Sequence, residues 1–485
     1  MCIRDSLKPG LVANASNSIQ VYNTNYILVH FMSDELEENL LPPTNPDQIG
    51  MRDMMFPYFT WQQSTYLSYK QEVANEATEK SFWNLSYTHI AACNMILADA
   101  GERIPADGEE TLANRVKGEA HFLRALYYYM LANLYGAPYS PATAASSPAV
   151  PVKLTEYIED KAFERNSVAE VYQQITSDLD SAEQCLKDLH KPLSIKRVGI
   201  NAVYLFRSRI ALYMQDWATA KHYALLSIKE NPDLQQMAGM SKDTYPLTAD
   251  NIENIFSMGG ATLGNVIYSR LGGANDNGLY SPIWKISDHL YNLYEEGDAR
   301  KYTYFSTKYG EGNAPYYQKI DISMEHLGIY KDCSDQFFFR SAEAYLNAAE
   351  AFAHLGEDQA AIEYLNILRR SRISSPVPVT AGGAQLVSFI REERQRELCL
   401  EGMRWFDMRR YAVDEQFPEV KAVEHSYTVY KILDGVWLPS STIYYELHTG
   451  DGGMTLDIPK SVRDFQNSIG SNPRPLRNAI RTKEY

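Results

Sequence analysis

The chain has 485 residues, with 46 Lys and Arg against 61 Asp and Glu and a formal net charge of −15. This length exceeds what one compact core accommodates, so we expect either several domains or a helical array that carries insertions. The acidic balance, without a basic stripe among aromatic residues, argues against nucleic acid as a partner. Five cysteines form no C-x-x-C pair, which argues against both a disulfide framework and a zinc site.

The N-terminal part of the chain is predicted to be helical on either side of an irregular aromatic segment. A helix is predicted over residues 11–32, and a proline-rich loop follows it. Aromatic residues then crowd residues 51–69 without clear periodicity, so this segment is predicted to be irregular. Helices are predicted over residues 73–100 and 114–139, the second of them ending at Gly136.

The first residues, from Met1 to Ser6, lead directly into a predicted secondary-structure element whose start is missing from this sequence. No charged segment followed by an apolar stretch opens the chain, and no apolar run approaches the roughly 18 residues that span a bilayer. We therefore expect that the natural chain begins further upstream. The missing signal is weak evidence about compartment.

Two helix pairs have the packing pattern of tetratricopeptide (TPR) units. The first spans residues 199–232, and the second begins the block from Phe337 to Tyr411. Small and apolar residues recur at helical spacing on the two helices of the second pair: Phe339, Ala342, Leu346, Ala349 and Ala353, then Ala361, Leu365 and Leu368. Alanine at a crossing lets two backbones approach closely, as it does in TPR repeats.

The chain between and after these pairs is predicted to form loops and short strands. Residues 241–336 show little helical periodicity and many Gly, Asn and Tyr residues, with one helix predicted over 288–296. Strands are predicted near residues 428–438, and a short helix in the tail. We predict a mostly α fold in one unit over residues 1–485. Its TPR-like helical-repeat scaffold would comprise residues 73–232 and 337–411, and its loop-rich lobe with short β-strands residues 33–72, 241–336 and 412–485.

Several motifs, taken together and in order, resemble the SusD/RagB-like outer-membrane proteins of Bacteroidetes. They are VKGEAHFLRALYYYMLANLYGAPY, NIENIF, YSPIWKISDHLYNLYEEGDAR, FFFRSAEAYLNAAEA, IREERQRELCLEGMRWFDMRRY and a terminal Ile-Pro element with Asn472-Pro473. The resemblance covers nearly the whole chain. The signal peptide and lipid-carrying cysteine of the family are absent from this sequence, and Cys2, with no apolar stretch before it, does not match that cysteine.

The resemblance implies a function in nutrient binding. Members of this family are TPR-like lipoproteins of the outer-membrane surface that sit as a lid over a SusC-like TonB-dependent transporter. They bind glycans for import, or peptides in some branches, and they are neither enzymes nor cofactor-dependent. We therefore expect a lipid-anchored oligosaccharide-binding protein without a catalytic site, with the peptide-binding branch as the alternative.

A catalytic alternative is a helical glycoside hydrolase of the inverting type, which needs two carboxylates facing a cleft. Candidate carboxylates are Glu392, Glu393, Glu397 and Glu401. Arginines share their helix, and Glu392 lies four residues before Arg396, so ion pairing explains them better. Asp298 with Arg300, and Asp407 with Arg410, are predicted to be ion pairs in the same way.

Metal binding has little support in the sequence. The ten histidines form no HExxH motif and no pair at i,i+4. The run from Asn275 to Gly278 has the composition of a calcium loop without its spacing, so a turn is the better interpretation. We predict no metal and no cofactor, and we expect Asn275, Asp276 and Asn277 to be polar ligand contacts.

Aromatic residues outside the helices are the positive signal for glycan binding, because sugar rings stack their C–H faces on aromatic rings while a tyrosine keeps its hydroxyl wet. Tyrosines number 35 against 17 phenylalanines. The predicted platforms are Tyr58, Trp61, Tyr66, Tyr280, Trp284, Tyr302 and Tyr304, with Tyr316 and Tyr317 nearby, whereas Trp83 is assigned to the core. Two or three platforms, each worth roughly 2 to 3 kcal/mol, predict micromolar to millimolar affinity.

Overall fold

The computed structural model describes most of the chain. The described residues are 27–40, 43, 46–73, 76–102, 110–192, 194–242, 244–258, 263, 267, 283–307, 315–320 and 338–485. Most of the helix predicted over residues 11–32 lies outside them, and its last part is observed as a helix from Leu28 to Met32.

The elements of the first half are mainly helices. In chain order they are α1 (Leu28–Met32), β1 (Leu36–Glu38), α2 (Pro46–Phe59), α3 (Glu76–Glu102), α4 (Glu110–Tyr135), α5 (Val168–Leu186), α6 (Ile200–Met214), α7 (Trp217–Glu230) and β2 (Asn254–Phe256).

The second half combines short strands, a further helical block and a long hairpin. Its elements are β3 (Trp284–Ile286), α8 (Asp288–Asn292), α9 (Arg300–Thr303), β4 (Phe305–Ser306), β5 (Tyr316–Tyr317), β6 (Phe339–Arg340), α10 (Ser341–His354), α11 (Asp358–Arg372), α12 (Gly383–Leu398), α13 (Arg404–Ala412), β7 (Ala422–Leu433), β8 (Val436–His448), α14 (Lys460–Phe465) and β9 (Arg481–Glu484). The described part of the chain is mostly helical with a few short sheets, so the predicted fold class is confirmed.

Alanines allow the close packing of α10, as the sequence predicts. The four predicted residues that lie on α10 are buried, as is Phe339, which the structure places in β6 just before the helix. The three facing residues of α11 are buried as well. The helix ends where Leu355 caps it and Gly356 turns the chain at φ 75°. A left-handed φ of this kind favours glycine, which explains the Leu-Gly ending.

A glycine fixes the contact between α4 and α5. A Cβ atom on Gly118 would lie 2.5 Å from Cγ of Leu186, a distance that no side chain tolerates. The helix α5 itself starts with a capping box, in which Ser167 and Glu170 satisfy each other's backbone N–H groups. Gly118 thus allows α4 and α5 to pack closely, and the capping box sets where α5 begins.

The aromatic segment 51–69 departs from prediction in its first half, because Pro46 to Phe59 form the helix α2. Its residues are buried on nearly every side, including Arg52, Met55 and Phe56. A helix that is buried all round lacks the one-sided stripe by which helices are recognised. For this reason the sequence pattern predicts an irregular segment where the structure has a helix.

The apolar residues that the structure describes form three cores. The largest lies among α3, α4, α5 and α6 and extends to the base of the β7–β8 hairpin. A second core joins α7, α10, α11 and α12, and the third fills the lobe built from the N-terminal residues and the short strands. Trp83 is 6% exposed and belongs to the largest core, as expected.

Four small antiparallel sheets complete the described part of the fold. The pairs β1–β3 and β2–β6 tie chain segments that are far apart in sequence, β4 and β5 join neighbouring segments, and β7, β8 and β9 form a three-stranded sheet. In the hairpin, Asp434 and Gly435 form the turn with φ values of 50° and 81°. The strand β9 covers β8 only from Ser441 to Tyr444, so the end of the hairpin has no third strand in the described chain. None of the described helices combines the length and apolarity needed to cross a bilayer.

Candidate functional site

The glutamates of α12 form the centre of a buried ionic network. Oε1 of Glu397 lies 2.5 Å from Arg340 Nη1 and 2.8 Å from Arg372 Nη2, while Oε2 lies 2.9 Å from Arg300 Nη1. Burial alone would raise the pKa of Glu397, but Arg372, then Arg340 and Arg300, outweigh it and hold the pKa well below its ordinary value. This carboxylate is a permanently charged structural group.

The neighbouring glutamates have the same role. Glu393 lies 2.7 Å from Arg300, and Glu401 lies 2.6 Å from Lys319. Burial opposes ionisation of Glu393, yet Arg300 and the next arginines lower its pKa to about 2. Glu392, with a side chain that is 46% exposed, pairs with Arg396 at 3.7 Å.

The predicted pairing within the helix is confirmed for Glu392 and Glu393, which both contact Arg396, whereas Glu397 and Glu401 are ion-paired with residues of other elements. The predicted pairs Asp298–Arg300, at 2.7 Å, and Asp407–Arg410, at 2.8 Å, are confirmed. A glycosidase acid and base must contact a saccharide. Glu393, Glu397 and Glu401 are buried and held by cations, so they cannot act in that way.

Four predicted aromatic platforms are wrong, because the structure buries them. Trp61 is fully buried, donates its indole N–H to the Met32 carbonyl at 2.9 Å and stacks on His425 at 4.4 Å. Trp284 is 2% exposed and contacts Phe31 edge-on at 4.7 Å. Both indoles fill cores, although sequence alone places them in loops or short strands.

Tyr58 and Tyr304 are buried in the same way. Tyr304 is 1% exposed, donates its hydroxyl to Glu397 at 3.3 Å and lies under Lys319. Tyr58 is 2% exposed in α2, and burial raises its pKa well above the ordinary value. The nearby Tyr316 and Tyr317 are buried as well.

The other predicted ligand contacts remain predictions. Tyr66 and Tyr302 are half-buried, and the ring of Tyr302 packs against the lobe core. Tyr280 and the three polar positions, Asn275, Asp276 and Asn277, lie outside the described residues. In the described chain no three His, Cys, Asp or Glu side chains come together as a metal site would require.

A cluster of tyrosines lies where the first loop meets the hairpin. We call Tyr69, Tyr427, Tyr430 and Tyr445 the tyrosine shelf. The rings of Tyr69 and Tyr427 lie 5.3 Å apart, and Phe56 of α2 contacts Tyr69, Tyr427 and Tyr445 at 4.8 to 5.9 Å. Tyr69 and Tyr430 are half-buried, whereas the other two are nearly covered.

A tight turn holds Tyr69 against the hairpin. Leu67 and Val73 form an antiparallel bridge, and the N–H of Ser68 donates to the Glu72 carbonyl at 2.9 Å. The turn between them passes through Gln71 at a φ of 62°. The backbone of this loop therefore positions the ring of Tyr69 in one place.

Two charged side chains of α2, Arg52 and Asp53, contact the tyrosines of the shelf. The guanidinium of Arg52 lies 5.1 Å from the ring centre of Tyr427 and 4.7 Å from that of Tyr430, and it donates to the Thr428 carbonyl at 2.7 Å. It also pairs with the buried Glu38. The Tyr427 hydroxyl donates to Asp53.

The shelf tyrosines are neutral hydrogen-bonding groups. Burial raises the pKa of Tyr430, with Arg52 as the next influence in the opposite direction, and burial followed by Tyr69 raises that of Tyr445 to about 12. At neutral pH each keeps its O–H. Half-buried rings with intact hydroxyls are suited to the C–H faces and hydroxyls of a sugar.

Sequence reasoning found only part of this shelf. Tyr69 belongs to the aromatic segment that the sequence singles out. The shelf, however, forms because this loop contacts β7 and β8, and no local sequence pattern predicts that contact. The inward alternation of Val423, His425 and Tyr427 breaks at Thr428, which is also buried, so strand periodicity does not identify Tyr430 either. The density of tyrosines in the hairpin is the one available signal.

Comparison with known proteins finds two matching families of the same kind. Residues 24–212 match the family SusD-like_3, described as "Starch-binding associating with outer membrane". Residues 287–437 match SusD_RagB, the "SusD family". Together the two matches include most of the scaffold helices, the arginines around Glu397, and Tyr69, Tyr427 and Tyr430 of the shelf, whereas α7 and Tyr445 lie outside them.

Individual relatives extend over a larger share of the chain. SusD-like protein P2 of Formosa agariphila is 26% identical over 378 residues, which cover 68% of this chain and 71% of that protein. SusD-like protein P38 of the same organism is 24% identical over 385 residues, or 69% and 72% of the two chains.

Solved structures share the fold. A SusD-like carbohydrate binding protein from Bacteroides vulgatus superposes with a TM-score of 0.67 at 20% identity, covering 92% of this chain and 87% of that one. Surface glycan-binding protein A from Bacteroides fluxus gives a TM-score of 0.65 at 18% identity and covers 97% of both chains. At such identities the likeness is one of fold.

Proposed function

This chain belongs to the SusD/RagB family, and from that premise we propose that it is a non-catalytic cell-surface protein that captures oligosaccharides and delivers them to a SusC-like TonB-dependent transporter. Attachment to the outer membrane would occur through a lipid anchor. The observation that carries the binding site is the tyrosine shelf. In it the half-buried Tyr69 contacts the ring of Tyr427, and the half-buried Tyr430 shares the Arg52 guanidinium with Tyr427.

The shelf has the properties that weak sugar capture requires. Each covered ring contributes roughly 2 to 3 kcal/mol when about 100 Å² is buried, and association costs at least about 4 kcal/mol. Two rings, Tyr69 and Tyr430, together with a few hydrogen bonds to hydroxyls then give an affinity of about millimolar. Such affinity is sufficient if a transporter is held nearby, because the effective concentration is high.

Other predicted contacts extend the proposed site. Tyr66 is half-buried three residues before Tyr69, in the same loop, and we propose it as a flanking contact. Tyr280, Asn275, Asp276 and Asn277, from the insertion, remain proposed contacts on sequence grounds. The four buried aromatics named above are no longer part of the proposal.

Hydrolysis is a weaker proposal for this chain. The candidate catalytic carboxylates, Glu393, Glu397 and Glu401, form ion pairs with arginines and a lysine in the buried network. The family descriptions also name binding. Purified protein should therefore release no reducing ends from the polysaccharide it binds.

Affinity electrophoresis in gels that contain single soluble polysaccharides tests the proposal. Wild type should be retarded by at least one of them, and Tyr69→Ala with Tyr430→Ala should abolish the retardation. Tyr157→Ala is the matched control, because Tyr157 is a 58% exposed tyrosine away from the shelf. Full retardation of the double variant would refute the shelf, and selective binding of peptides would instead favour the peptide-binding branch.

A further inference from the structure

A cavity of about 170 Å³ lies on the helical scaffold, among residues that the proposed glycan site does not use. Its walls come from the segment between α5 and α6, from the end of α7 and from β2. The N–H of Ser257 donates to the Ile195 carbonyl at 2.8 Å, which fixes the α5–α6 segment against the end of β2. The cavity is therefore bounded by packed elements.

The cavity combines apolar walls with a few polar groups. Its apolar wall consists of Leu189, Pro192, Ile195, Ile200, Ile255 and the ring of Tyr204. Its polar lining includes Asn201 and Asn254, with Lys187, Lys191 and Glu230 as exposed charged groups. This mixture, apolar faces with a small number of placed polar atoms, is typical of small-molecule sites.

Hydrogen bonds to the scaffold set the orientation of the two asparagines. Oδ1 of Asn201 accepts from Ser227 at 2.6 Å, which leaves its NH2 group as the available donor. The NH2 group of Asn254 donates to the carbonyls of Thr248 and Ala249 at 2.8 and 3.0 Å. Oδ1 of Asn254 is buried and accepts nothing from the residues that the structure describes.

The charges favour a ligand with an acidic group. Lys187 and Lys191 make no ion pair within the described chain, although the protein as a whole is strongly acidic. With the Asn201 NH2 group they offer three donors to a carboxylate. Glu230, which is also exposed, offers carboxylate oxygens as acceptors at the same cavity.

We propose that this cavity binds one acidic pyranose unit, such as a uronic acid, as a second saccharide site distinct from the tyrosine shelf. Its carboxylate meets the two lysines and Asn201, and its ring faces the apolar wall and Tyr204. The volume limits the site to about one sugar ring. The class of ligand rests on the proposed glycan function, whereas the cavity and its charges do not.

Ligand-observed saturation-transfer NMR on the full chain tests the site, with methyl glucuronide and methyl galacturonide as probes. Methyl glucoside and sodium acetate serve as matched probes, one lacking the carboxylate and the other the sugar. Wild type should bind at least one uronide, and bind it at least tenfold more tightly than either matched probe. Ile200→Trp, which fills the cavity, should abolish the signal.

Charge variants give an independent test that leaves the packed wall intact. Lys187→Gln with Lys191→Gln should weaken uronide binding by about tenfold, since each is an exposed charge. Lys229→Gln with Lys242→Gln removes the same charge from exposed positions outside the cavity and should leave it unchanged.

The two proposed sites can be disproved independently of each other. The shelf variant Tyr69→Ala with Tyr430→Ala should keep uronide binding. Absence of uronide binding in a wild type that is still retarded by polysaccharide would overturn the second site alone. Equal binding of acetate, or uronide binding that survives Ile200→Trp, would also overturn it.

Discussion

Arg340 Nη1 lies 2.5 Å from Glu397 Oε1, and both side chains are buried where the lobe meets the helical scaffold. The arginine belongs to β6 and the glutamate to α12, while Arg300 of α9 meets the same carboxylate from the lobe. One buried charge thus joins three elements that are distant in sequence. Removing it leaves several guanidinium groups without their counter-charge.

Glu397→Gln should therefore lower the free energy of unfolding by about 3 to 5 kcal/mol, the usual cost of breaking a buried ion pair on one side. Urea unfolding followed by circular dichroism measures it. Glu392→Gln is the control on the same helix, because its carboxylate is 46% exposed, and it should change stability by no more than about 0.5 kcal/mol. Similar losses for both variants would contradict the role given to the network.

How much of this arrangement the sequence predicts depends on the range of the interaction. The α10–α11 pair, the capped start of α5 and the local pair Asp407–Arg410 follow from spacing within one or two elements. The partners of Glu397 are up to 97 residues away, so sequence shows that the glutamate needs cations without showing which. Long-range pairing also decides the candidate site.

The aromatic residues illustrate the same limit. Trp61 and Trp284 stand in segments without periodicity, where a surface ring and a core ring have the same local pattern. Their burial comes from His425 and Phe31, which lie on other elements. The shelf is defined by contacts between residues about 360 positions apart, such as Tyr69 and Tyr427, and no local rule connects them.

His30 should make folding sensitive to mild acid. It is 1% exposed, and neither ring nitrogen has a hydrogen-bond partner among the residues that the structure describes. Burial, then Lys319, lowers its pKa from 6.5 to about 3. Since the unfolded chain binds the proton first, stability is present above pH 6.5 and is lost as pH falls toward 3.

The variant His30→Met should flatten this loss. Urea unfolding at pH 6.5, 5.5 and 4.5 measures the slope in the variant and in wild type, so that the carboxylates, which titrate near pH 4 in the unfolded chain, contribute equally to both. His89 and His425, whose pKa values burial lowers to about 4, keep contributing, so the slope should fall by about one proton. His222, which is exposed, gives the control variant His222→Met, whose slope should equal that of wild type. An unchanged slope in His30→Met would contradict the prediction.

Glu35 should have the opposite pH dependence. It is 1% exposed, and burial, then Asp34, raises its pKa to about 8, while the N–H of Leu400 and the charges of Arg404 and Lys319 act against this. The native state then holds a proton that the unfolded chain releases near pH 4.5. Stability from this group is present below pH 4.5 and is lost as pH rises through 8.

Glu35→Gln tests this sign, because the amide can still accept the Leu400 N–H bond, 3.1 Å long in the wild type. The variant should match wild type near pH 5 and exceed it in unfolding free energy at pH 8.5. Glu37→Gln is the neighbouring control, since its side chain is 34% exposed, and it should show no gain at pH 8.5. Equal pH profiles for wild type and Glu35→Gln would show that Glu35 is ionised in the folded protein.

The far end of the hairpin should contact the proposed transporter. Ile432, Leu433 and Val436 are 59%, 57% and 55% exposed, and they occupy both faces of the two strands beyond the part that β9 covers. Exposed apolar groups of this kind mark interaction surfaces. The same hairpin carries Tyr430 of the shelf, so a partner that covers its end would lie beside the proposed glycan site.

Ile432→Lys with Val436→Lys should therefore reduce co-purification of the transporter from solubilised outer membranes by at least tenfold. Thermal unfolding and retardation by polysaccharide should stay as in wild type, because both residues project from the core and neither belongs to the shelf. Leu112→Lys provides the control at a 59% exposed leucine of α4, far from the hairpin in sequence. If the transporter is recovered equally with the hairpin variant, the partner docks elsewhere and the apolar end has another role.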